Sequence, residues 1–264
     1  MMQENSVYSL AVTRDGTEII SSDEAGMIKV WDVESHQLVE EWTHPEWYPK
    51  IATSPDDQLI ALGKETVFVY TMKGKQVKHA IQVGQFVWSM SFSPDGSKLA
   101  IGTFGDISIY DAKSGALVLG PLEGHSAGVS CVLWSLDFST LFSCSVDATI
   151  RRWNSNTGQQ IGHPWTGHTD CILSLSLSPD GSTLASASAD ETVRFWNTTT
   201  GDEVGKRIRH DAITVCFSPS GESVASGGWD GKMSLWRLTR LNSVESSVVM
   251  LLRCLYAHTD LCPL

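Results

Sequence analysis

Short stretches in which apolar residues alternate with small or polar ones recur along the whole chain. One group of four such stretches reads "CILSLSLS", "STLASASA", "TVRFWN" and "EVGKRI", within residues 171–208. A period of two is that of a β-strand with one buried face. The "PDG" between the first two stretches predicts a tight turn, because proline presets one φ angle and glycine tolerates a positive one. No long helical periodicity competes, so the pattern predicts an all-β chain of short antiparallel strands.

The pattern is an internal repeat. "SFSPDGSKLAIG" returns as "SLSPDGSTLASA" and "CFSPSGESVASG", and divergent copies read "AVTRDGTEIISS", "ATSPDDQLIALG" and "LWSLDFSTLFSC". After each copy a second strand ends in an aromatic residue: Trp31, Tyr70, Tyr110, Trp153, Trp196 and Trp236. The spacing of about 40 residues is that of one four-stranded propeller blade. The sequence therefore predicts a β-propeller of six four-stranded antiparallel blades over residues 5–256, without an interior linker. The predicted units are 5–44, 45–83, 84–124, 125–167, 168–209 and 210–256.

The last three units share a set of side chains that could serve a hydrolase. The sets are His125, Ser143, Asp147 and Trp153; His168, Ser186, Asp190 and Trp196; and His210, Ser226, Asp230 and Trp236. A catalytic triad occurs once and needs a separate oxyanion site, whereas this set occurs three times in register with the repeat. We therefore interpret the sets as structural, with Asp accepting from His, His reaching Ser and Ser meeting the indole N–H. Such a network avoids a cost of about 1–3 kcal/mol for each buried polar group left unpaired.

These units resemble WD repeats, a family of β-propellers named for the dipeptide seen here at Trp31-Asp32. The wording "GHTD…LSPDGSTLASASADETVRFWN" is also similar to repeats in the expanded WD-repeat families of filamentous fungi. The resemblance implies structural tetrads and a non-catalytic protein–protein interaction scaffold or adaptor that needs no cofactor. Two alternatives stay open. One is a recognition or sensor fragment of a larger multidomain signalling protein, and the other is a propeller enzyme with a cluster of carboxylates, histidines or metal ligands.

The first three units depart from the tetrad pattern. No His precedes the first turn, the "GKETVFVY" of the second unit lacks the turn acid, and the third has Gln85 and a displaced Asp106. We therefore expect the N-terminal half to be less rigid than residues 125–236, which hydrogen exchange would measure. Equally slow exchange in both halves would contradict this expectation.

The candidate partner-binding residues are aromatic side chains that the resemblance places toward one face of the propeller: Tyr8, Trp47, Phe86, Trp88 and Trp229. Exposed tryptophan is a favoured anchor of protein interfaces. Trp229, in the turn "GGWDG", is the strongest candidate, because burial in a turn is difficult. Trp88 could instead pack against a neighbouring blade, and Trp47 could instead fill the mouth of the central channel.

Charge and composition narrow the class of partner. The formal net charge of −11 leaves no basic surplus for a nucleic-acid backbone or an anionic membrane. The six cysteines show no metal-ligand spacing, so no metal site is predicted. Neither a signal peptide nor a long apolar run is present. A reduced, cytoplasmic location is expected, with a nuclear one as an alternative.

The end of the chain repeats a motif from its middle. "AHTD" at residues 257–260 echoes "GHTD" at 167–170, so residues 257–264 are interpreted as the remnant of a further repeat or as a tail. Two arrangements are open at this point. Either a six-bladed ring closes by packing between its terminal blades, or the chain is an open or truncated seven-bladed ring with exposed strand edges.

Overall fold

The fold is all-β and consists of six small antiparallel sheets, which confirms the predicted class of β-propeller blades. The structure is a computed structural model and describes residues 6–47, 49–72, 76–228, 231–239 and 243–250. No helix occurs in these ranges, and so none that could span a membrane. The chain divides into two compact units, residues 1–124 and 125–264, and each is described by itself.

The first unit contains three four-stranded sheets, in each of which consecutive strands are neighbours. The boundary between the units falls within the last strand, β12. The first sheet is formed by β1 (Val7–Val12), β2 (Glu18–Asp23), β3 (Met27–Asp32) and β4 (Leu38–Thr43). The second is formed by β5 (Lys50–Thr53), β6 (Leu59–Gly63), β7 (Thr66–Thr71) and β8 (Val77–Gln82). The third is formed by β9 (Ser89–Phe92), β10 (Lys98–Gly102), β11 (Phe104–Asp111) and β12 (Leu117–Gly128).

The second unit contains the other three sheets, again with consecutive strands paired. The fourth sheet has only β13 (Cys131–Trp134), β14 (Thr140–Cys144) and β15 (Ile150–Asn154). The fifth has β16 (Ile172–Leu177), β17 (Thr183–Ser188), β18 (Thr192–Asn197) and β19 (Ile208–Arg209). The sixth has β20 (Ala212–Phe217), β21 (Ser223–Gly228), β22 (Met233–Thr239) and β23 (Ser243–Met250).

The fourth sheet lacks the predicted fourth strand, and in the fifth sheet that strand is present but short. In the fourth sheet the outer position is held by two isolated bridges, Ile150 with Trp165 and Trp153 with Gln160. The connecting segment includes Gly162 at φ +72° and Pro164, which has no N–H to donate to a ladder. In the fifth sheet Gly205, also at φ +72°, interrupts "EVGKRI", and only Ile208–Arg209 forms a strand.

The core of each unit lies between the faces of successive sheets, because alternate strand residues point to opposite faces. In the second unit one cluster packs the fourth sheet on the fifth through Phe142, Ile150, Trp165, Leu184 and Trp196. A second cluster joins the fifth sheet to the sixth through Val193, Phe195, Val215, Phe217 and Val224. The first unit has two equivalent clusters, one centred on Ile28 and Ile60 and the other on Val69 and Leu99.

The described cysteines, all of which lie in the second unit, differ in state. Cys144 and Cys216 are free, and Cys144 is fully buried among apolar residues. Cys171, in contrast, is in a disulfide bond.

The turn between the first two strands of a sheet is stabilised by an aspartate in five of the six sheets. In the fifth sheet, Asp180 Oδ1 accepts hydrogen bonds from the Ser178 hydroxyl at 2.6 Å and from the Ser182 backbone N–H at 3.0 Å. The equivalent aspartates elsewhere are Asp15, Asp56, Asp95 and Asp137. The sixth turn has the same backbone bond, from Gly221 N–H to the Ser218 carbonyl, but Ser220 takes the place of the acid.

Restoring the acid in the sixth turn is expected to stabilise the protein. The double variant Ser220→Asp with Glu222→Ser copies the Ser178–Ser182 turn and removes a nearby like charge. Because a hydrogen bond to a charged acceptor replaces a weaker one, the free energy of unfolding should rise by about 1 kcal/mol. Urea denaturation measures this, with Glu222→Ser alone as the control. An unchanged or lower stability of the double variant would show that the sixth turn differs from the other five.

Candidate functional site

The second unit contains a buried four-residue network, here named the His–Ser–Asp–Trp clamp. In the fifth sheet, His168 precedes β16, Ser186 lies on β17, Asp190 lies in the turn after it, and Trp196 lies on β18. His168 Nδ1 is 2.8 Å from Asp190 Oδ2, and His168 Nε2 is 2.7 Å from Ser186 Oγ. The Trp196 indole N–H donates to the same Ser186 Oγ at 2.8 Å. The structure thus brings all four sequence-predicted residues together.

One pattern of protons satisfies every polar atom of this clamp with a neutral imidazole. The indole can only donate, so Ser186 Oγ accepts from it and sends its own proton to His168 Nε2. His168 Nδ1 then carries the proton that is donated to the Asp190 carboxylate. The chain of bonds runs in one direction, from indole to carboxylate, and ties β18, β17 and the turn to the loop before β16.

The fourth sheet holds a second clamp with the same geometry. His125 Nδ1 lies 2.9 Å from Asp147 Oδ2, and its Nε2 lies 2.8 Å from Ser143 Oγ. The Trp153 indole donates to Ser143 Oγ at 2.8 Å. In both sheets the residue after the histidine also donates its backbone N–H to the aspartate. The two clamps therefore anchor the incoming loop through both the histidine side chain and the backbone.

The sixth sheet departs from this geometry. The Trp236 indole donates to Ser226 Oγ at 2.8 Å as expected, but His210 meets Ser226 through Nδ1, at 3.0 Å. Its other ring nitrogen, Nε2, lies 3.1 Å from Ser234 Oγ on β22. Asp230, the fourth predicted member, lies outside the described residues, as does the candidate contact Trp229.

The Ser–His–Asp geometry is that of a catalytic triad, yet both serine hydroxyls are buried. Ser143 and Ser186 are 0% exposed, and each hydroxyl oxygen is already held by an indole N–H. A nucleophile needs an open approach and an oxyanion site within reach of the attacked atom. Within the described residues no group of three or more His, Cys, Asp or Glu side chains could hold a metal ion. The clamps therefore link strands and turns.

The first unit uses partial versions of this network. In the first sheet the Trp31 indole donates to Ser21 Oγ at 3.0 Å, although the sequence supplies no preceding histidine. In the third sheet, the displaced Asp106 accepts through its backbone carbonyl from the Thr103 N–H, and Gln85 is exposed.

A glutamate that the sequence did not single out replaces the turn acid of the second sheet. Glu46 Oε2 accepts from the backbone N–H groups of Lys64 at 2.6 Å and Glu65 at 3.2 Å, and Oε1 accepts from Thr66 at 3.0 Å. The Glu46 N–H donates to Nδ1 of the buried His44. The same loop thus holds the histidine in place and binds the 64–66 turn. In the sequence, this role of Glu46 is indicated only by its position two residues after His44.

Around the 64–66 turn, aromatic and lysine side chains form a surface on the first unit. Trp47, next to Glu46, is 68% exposed. Phe86 and Trp88 are half-buried and meet edge to face, with ring centroids 5.6 Å apart. The Lys64 ammonium lies 5.3 Å from the Phe86 ring centre, and the Val87 N–H donates to the Lys64 carbonyl at 2.6 Å. Glu46 and Val87 thereby bring both aromatic segments to one turn.

Tyr8 does not belong to this surface. It is 8% exposed, and the Lys50 ammonium lies 4.5 Å from its ring centre. A cation over an aromatic face is attracted by the ring quadrupole, more strongly where water is excluded. Tyr8 is therefore a buried contact of Lys50. We use the name aromatic–lysine surface for the side chains of Trp47, Lys50, Lys64, Phe86 and Trp88.

Burial and hydrogen bonding shift the acid–base equilibria of the clamp in the fifth sheet. Burial lowers the pKa of His168 below its ordinary value, although the Asp190 carboxylate partly opposes this. Burial raises the pKa of Asp190, but hydrogen bonds from Thr192 and His168 more than reverse this, so its pKa is lowered overall. The pKa of Asp147 is lowered in the same way, burial being outweighed by hydrogen bonds from His125 and Thr149. The folded state thus favours neutral His168 beside ionised carboxylates.

Acidification is expected to destabilise the folded protein in two ranges of pH. Since the pKa of His168 is lower in the folded state, its contribution is present above the ordinary histidine pKa of about 6.5 and is lost below it. The aspartates contribute above about pH 4 and lose their contribution as the pH falls further. Urea denaturation at pH 7.5 and 5.5 measures the first range. The drop should be larger for the wild type than for His168→Gln, and equal drops would contradict the assignment.

Comparison with known proteins agrees with this architecture. A family model described as the IFT122 first beta-propeller matches residues 86–248, which is more than half of the chain. The chain belongs to the WD-repeat β-propeller family. A second model, described as WD domain, G-beta repeat, matches residues 3–32.

Several curated WD-repeat proteins are similar to parts of the chain. WD repeat-containing protein SL1-17 of Schistosoma mansoni is 33% identical over 59% of this chain and 52% of its own length. WD repeat-containing protein 1 of Xenopus tropicalis is 37% identical over 40% of the chain and 17% of its own length. Cross-pathway control WD-repeat protein 2 of Flammulina velutipes is 36% identical over 51% of the chain and 46% of its own length. The chain thus spans about half, or less, of these relatives.

The dipeptide that names the WD-repeat family has a visible role in this chain. Asp32, after Trp31, accepts from the Ser35 backbone N–H at 2.7 Å and closes the turn that leads to the outer strand. Asp111 binds Ser114 in the same way, and Asn154 and Asn197 cap the corresponding turns after Trp153 and Trp196. The acid or amide after the aromatic residue therefore caps the turn, because its side-chain oxygen accepts a hydrogen bond from a nearby backbone N–H.

Proposed function

We propose that this WD-repeat chain is a non-catalytic scaffold or adaptor that binds other proteins through the aromatic–lysine surface of its first unit. The observation that carries the proposal is the 68% exposure of Trp47 beside Phe86 and Trp88. Large aromatic side chains dominate the binding energy of protein interfaces, because they bury much area at low conformational cost. WD-repeat proteins, the family to which the chain belongs, typically act as interaction scaffolds.

The charges around the aromatic rings favour a protein partner with acidic side chains near an apolar contact. Lys50 and Lys64 contribute positive charge to a chain whose formal net charge is −11. Their ammonium groups lie over the rings of Tyr8 and Phe86. A cation held over an aromatic ring places positive charge beside an apolar contact, which favours a partner segment that combines the two complementary features.

An alternative is supported by the extent of the comparisons. The matches cover 52%, 46% and 17% of three relatives, so in those proteins the similar segment is part of a longer chain. This fits a recognition or sensor segment of a larger protein. Both functions use the same kind of binding surface, and they differ in whether further domains act on the bound partner.

Quantitative affinity capture tests the proposed surface. Tagged wild-type protein, Trp47→Ala and Phe86→Ala are used as baits, and bound proteins are quantified by mass spectrometry. Loss of an interface anchor should reduce the specifically bound proteins by about tenfold or more, since anchors contribute 2 kcal/mol or more. The control is Phe104→Ala, which removes a 62% exposed aromatic side chain from β11. Capture that is unchanged in both test variants would overturn the proposal.

A further inference from the structure

A cleft opens in the second unit between the fifth and sixth sheets, at the end where the "SPDG" and "SPSG" turns lie. Its volume is about 330 Å³. The floor and walls are apolar, and the rim is polar, with one lysine. The proposed surface of the first unit does not include any of the residues that line it. The lining residues used below are Ser178, Asp180, Ser182, Phe195, Val204, Lys206, Phe217, Ser220, Gly221 and Leu238.

The apolar part of the cleft is built by rigid core residues. Phe195 and Phe217 are buried, and their rings meet edge to face with centroids 6.3 Å apart. Val204 and Leu238 are half-buried and line the sides. Gly221, at φ +74°, borders the cleft without a side chain that could cover it. A preformed apolar hollow of this kind can bury a side chain with little reorganisation of the protein.

The polar rim leaves one charge without a partner. Ser178 and Ser182 both donate to Asp180, so the carboxylate is occupied within its own turn. Lys206 is exposed and makes no ion pair with any described residue. Its neighbour Arg207 is bound to Glu203 at 2.7 Å. The lining therefore combines a single unpaired ammonium with apolar side chains.

We propose that this cleft binds an extended peptide segment of a partner protein that carries one large apolar side chain followed closely by a carboxylate. The volume of about 330 Å³ accommodates one aromatic or leucine side chain with its backbone. The carboxylate pairs with Lys206, and the hydroxyl of Ser220 on the opposite rim bonds the peptide backbone. The site shares no residue with the aromatic–lysine surface, so the two can bind different segments.

Defined peptides test the proposal directly. The probes are fluorescein-labelled decapeptides of Gly and Ser with one central Phe, followed two positions later by Asp, Lys or Ser; a fourth probe has Ala in place of Phe. Fluorescence anisotropy with the full chain should show binding of the Phe–Asp peptide and its loss when Phe becomes Ala. Lys206→Glu should weaken the Phe–Asp peptide about fivefold to tenfold and strengthen the Phe–Lys peptide, because charge reversal replaces attraction with repulsion. Lys113→Glu, with the same change in net charge in the first unit, should alter neither affinity.

A cross-linking experiment identifies the occupant. A benzophenone amino acid in place of Ser220 is irradiated with the Phe–Asp peptide present, and the cross-linked fragments are identified by mass spectrometry. Cross-links to the peptide that compete with unlabelled peptide support the proposal. Cross-links to a second copy, or to residues 251–264 of the same chain, together with no peptide binding, would overturn it. Peptide affinities that change neither when Phe is replaced by Ala nor in the Lys206→Glu variant would also overturn it.

Discussion

Replacing Trp196 with alanine is expected to lower the free energy of unfolding of the second unit by about 3–5 kcal/mol, the range for removal of a buried aromatic residue. Trp196 is 2% exposed and stacks on Trp165, with ring centroids 6.0 Å apart. Its indole N–H is also the donor that starts the hydrogen-bond chain from Ser186 to His168 and Asp190. The substitution therefore removes packing and a bond at once. Urea denaturation followed by hydrogen exchange on residues 168–209 measures the loss.

A matched pair of phenylalanine variants separates the bond from the packing. Trp196→Phe and Trp31→Phe both remove an indole N–H from a serine hydroxyl, but only Trp196 belongs to a full clamp. Trp196→Phe should cost about 2 kcal/mol, and the same change at the half-buried, histidine-free Trp31 should cost about 1 kcal/mol or less. Equal losses for the two variants would show that His168 and Asp190 add nothing to the serine–tryptophan pair.

Gly26→Ala is expected to lower the free energy of unfolding of the first unit by about 2–5 kcal/mol. Gly26 has a φ of +84°, and an added Cβ would lie 2.6 Å from the Glu46 carbonyl oxygen and 2.8 Å from that of His44. Both contacts are with backbone atoms, which cannot move aside by a change of rotamer. Because this loop also carries Trp47, the variant should in addition weaken protein capture at the aromatic–lysine surface.

The control for Gly26 is another glycine with a similar backbone conformation and free space around it. Gly84 has a φ of +70°, and no atom lies within 4 Å of an added Cβ. Gly84→Ala should therefore cost only the conformational strain, about 1 kcal/mol. Thermal and urea denaturation of both variants provide the comparison. An equal decrease in the free energy of unfolding in both variants would mean that the backbone of the Glu46 loop does not pack closely against Gly26.

The repeat was predictable from the sequence because its signals are local. The strand period, the "PDG" turns and the terminal aromatic residues all act within one sheet, and each sheet forms where they occur. The fourth strand of the fourth sheet was predicted wrongly, whereas that of the fifth sheet was confirmed but is only two residues long. There Gly162, Pro164 and Gly205 interrupt the ladder, although the flanking residues keep a strand-like pattern.

The candidate sites were harder to predict because side chains substitute for one another in space. Glu46 supplies the carboxylate that the turn of the second sheet lacks, from a loop about 20 residues earlier in the chain. His210 turns its other ring nitrogen toward Ser226, since Ser234 offers a second hydroxyl. Tyr8 has the aromatic character of an interface residue but is covered by Lys50. The spacing of residues in the sequence predicts which residue types lie near a position of the repeat. Whether a side chain is exposed depends on which other side chains pack over it in the folded protein.

The WD-repeat fold supports many functions, so the site has to carry the functional argument. In the second unit the conspicuous chemistry, Ser–His–Asp, is enclosed, and the lining of the cleft between the fifth and sixth sheets includes none of those residues. In the first unit the clamps are incomplete, and the exposed Trp47 and the half-buried Phe86 and Trp88 lie on segments that contact the 64–66 turn. There is thus a separation between the residues that hold the sheets together and those that are available to a partner.

Reaction with a fluorophosphonate probe tests this separation most directly, because the probe labels serine hydroxyls that a histidine–aspartate pair activates. The folded protein is incubated with the probe, digested, and the adducts are located by mass spectrometry. The account predicts no adduct on Ser143 or Ser186, which are fully buried and bound to Trp153 and Trp196. A stoichiometric adduct on Ser186 that disappears in His168→Gln would contradict it, since the clamp would then be an active site.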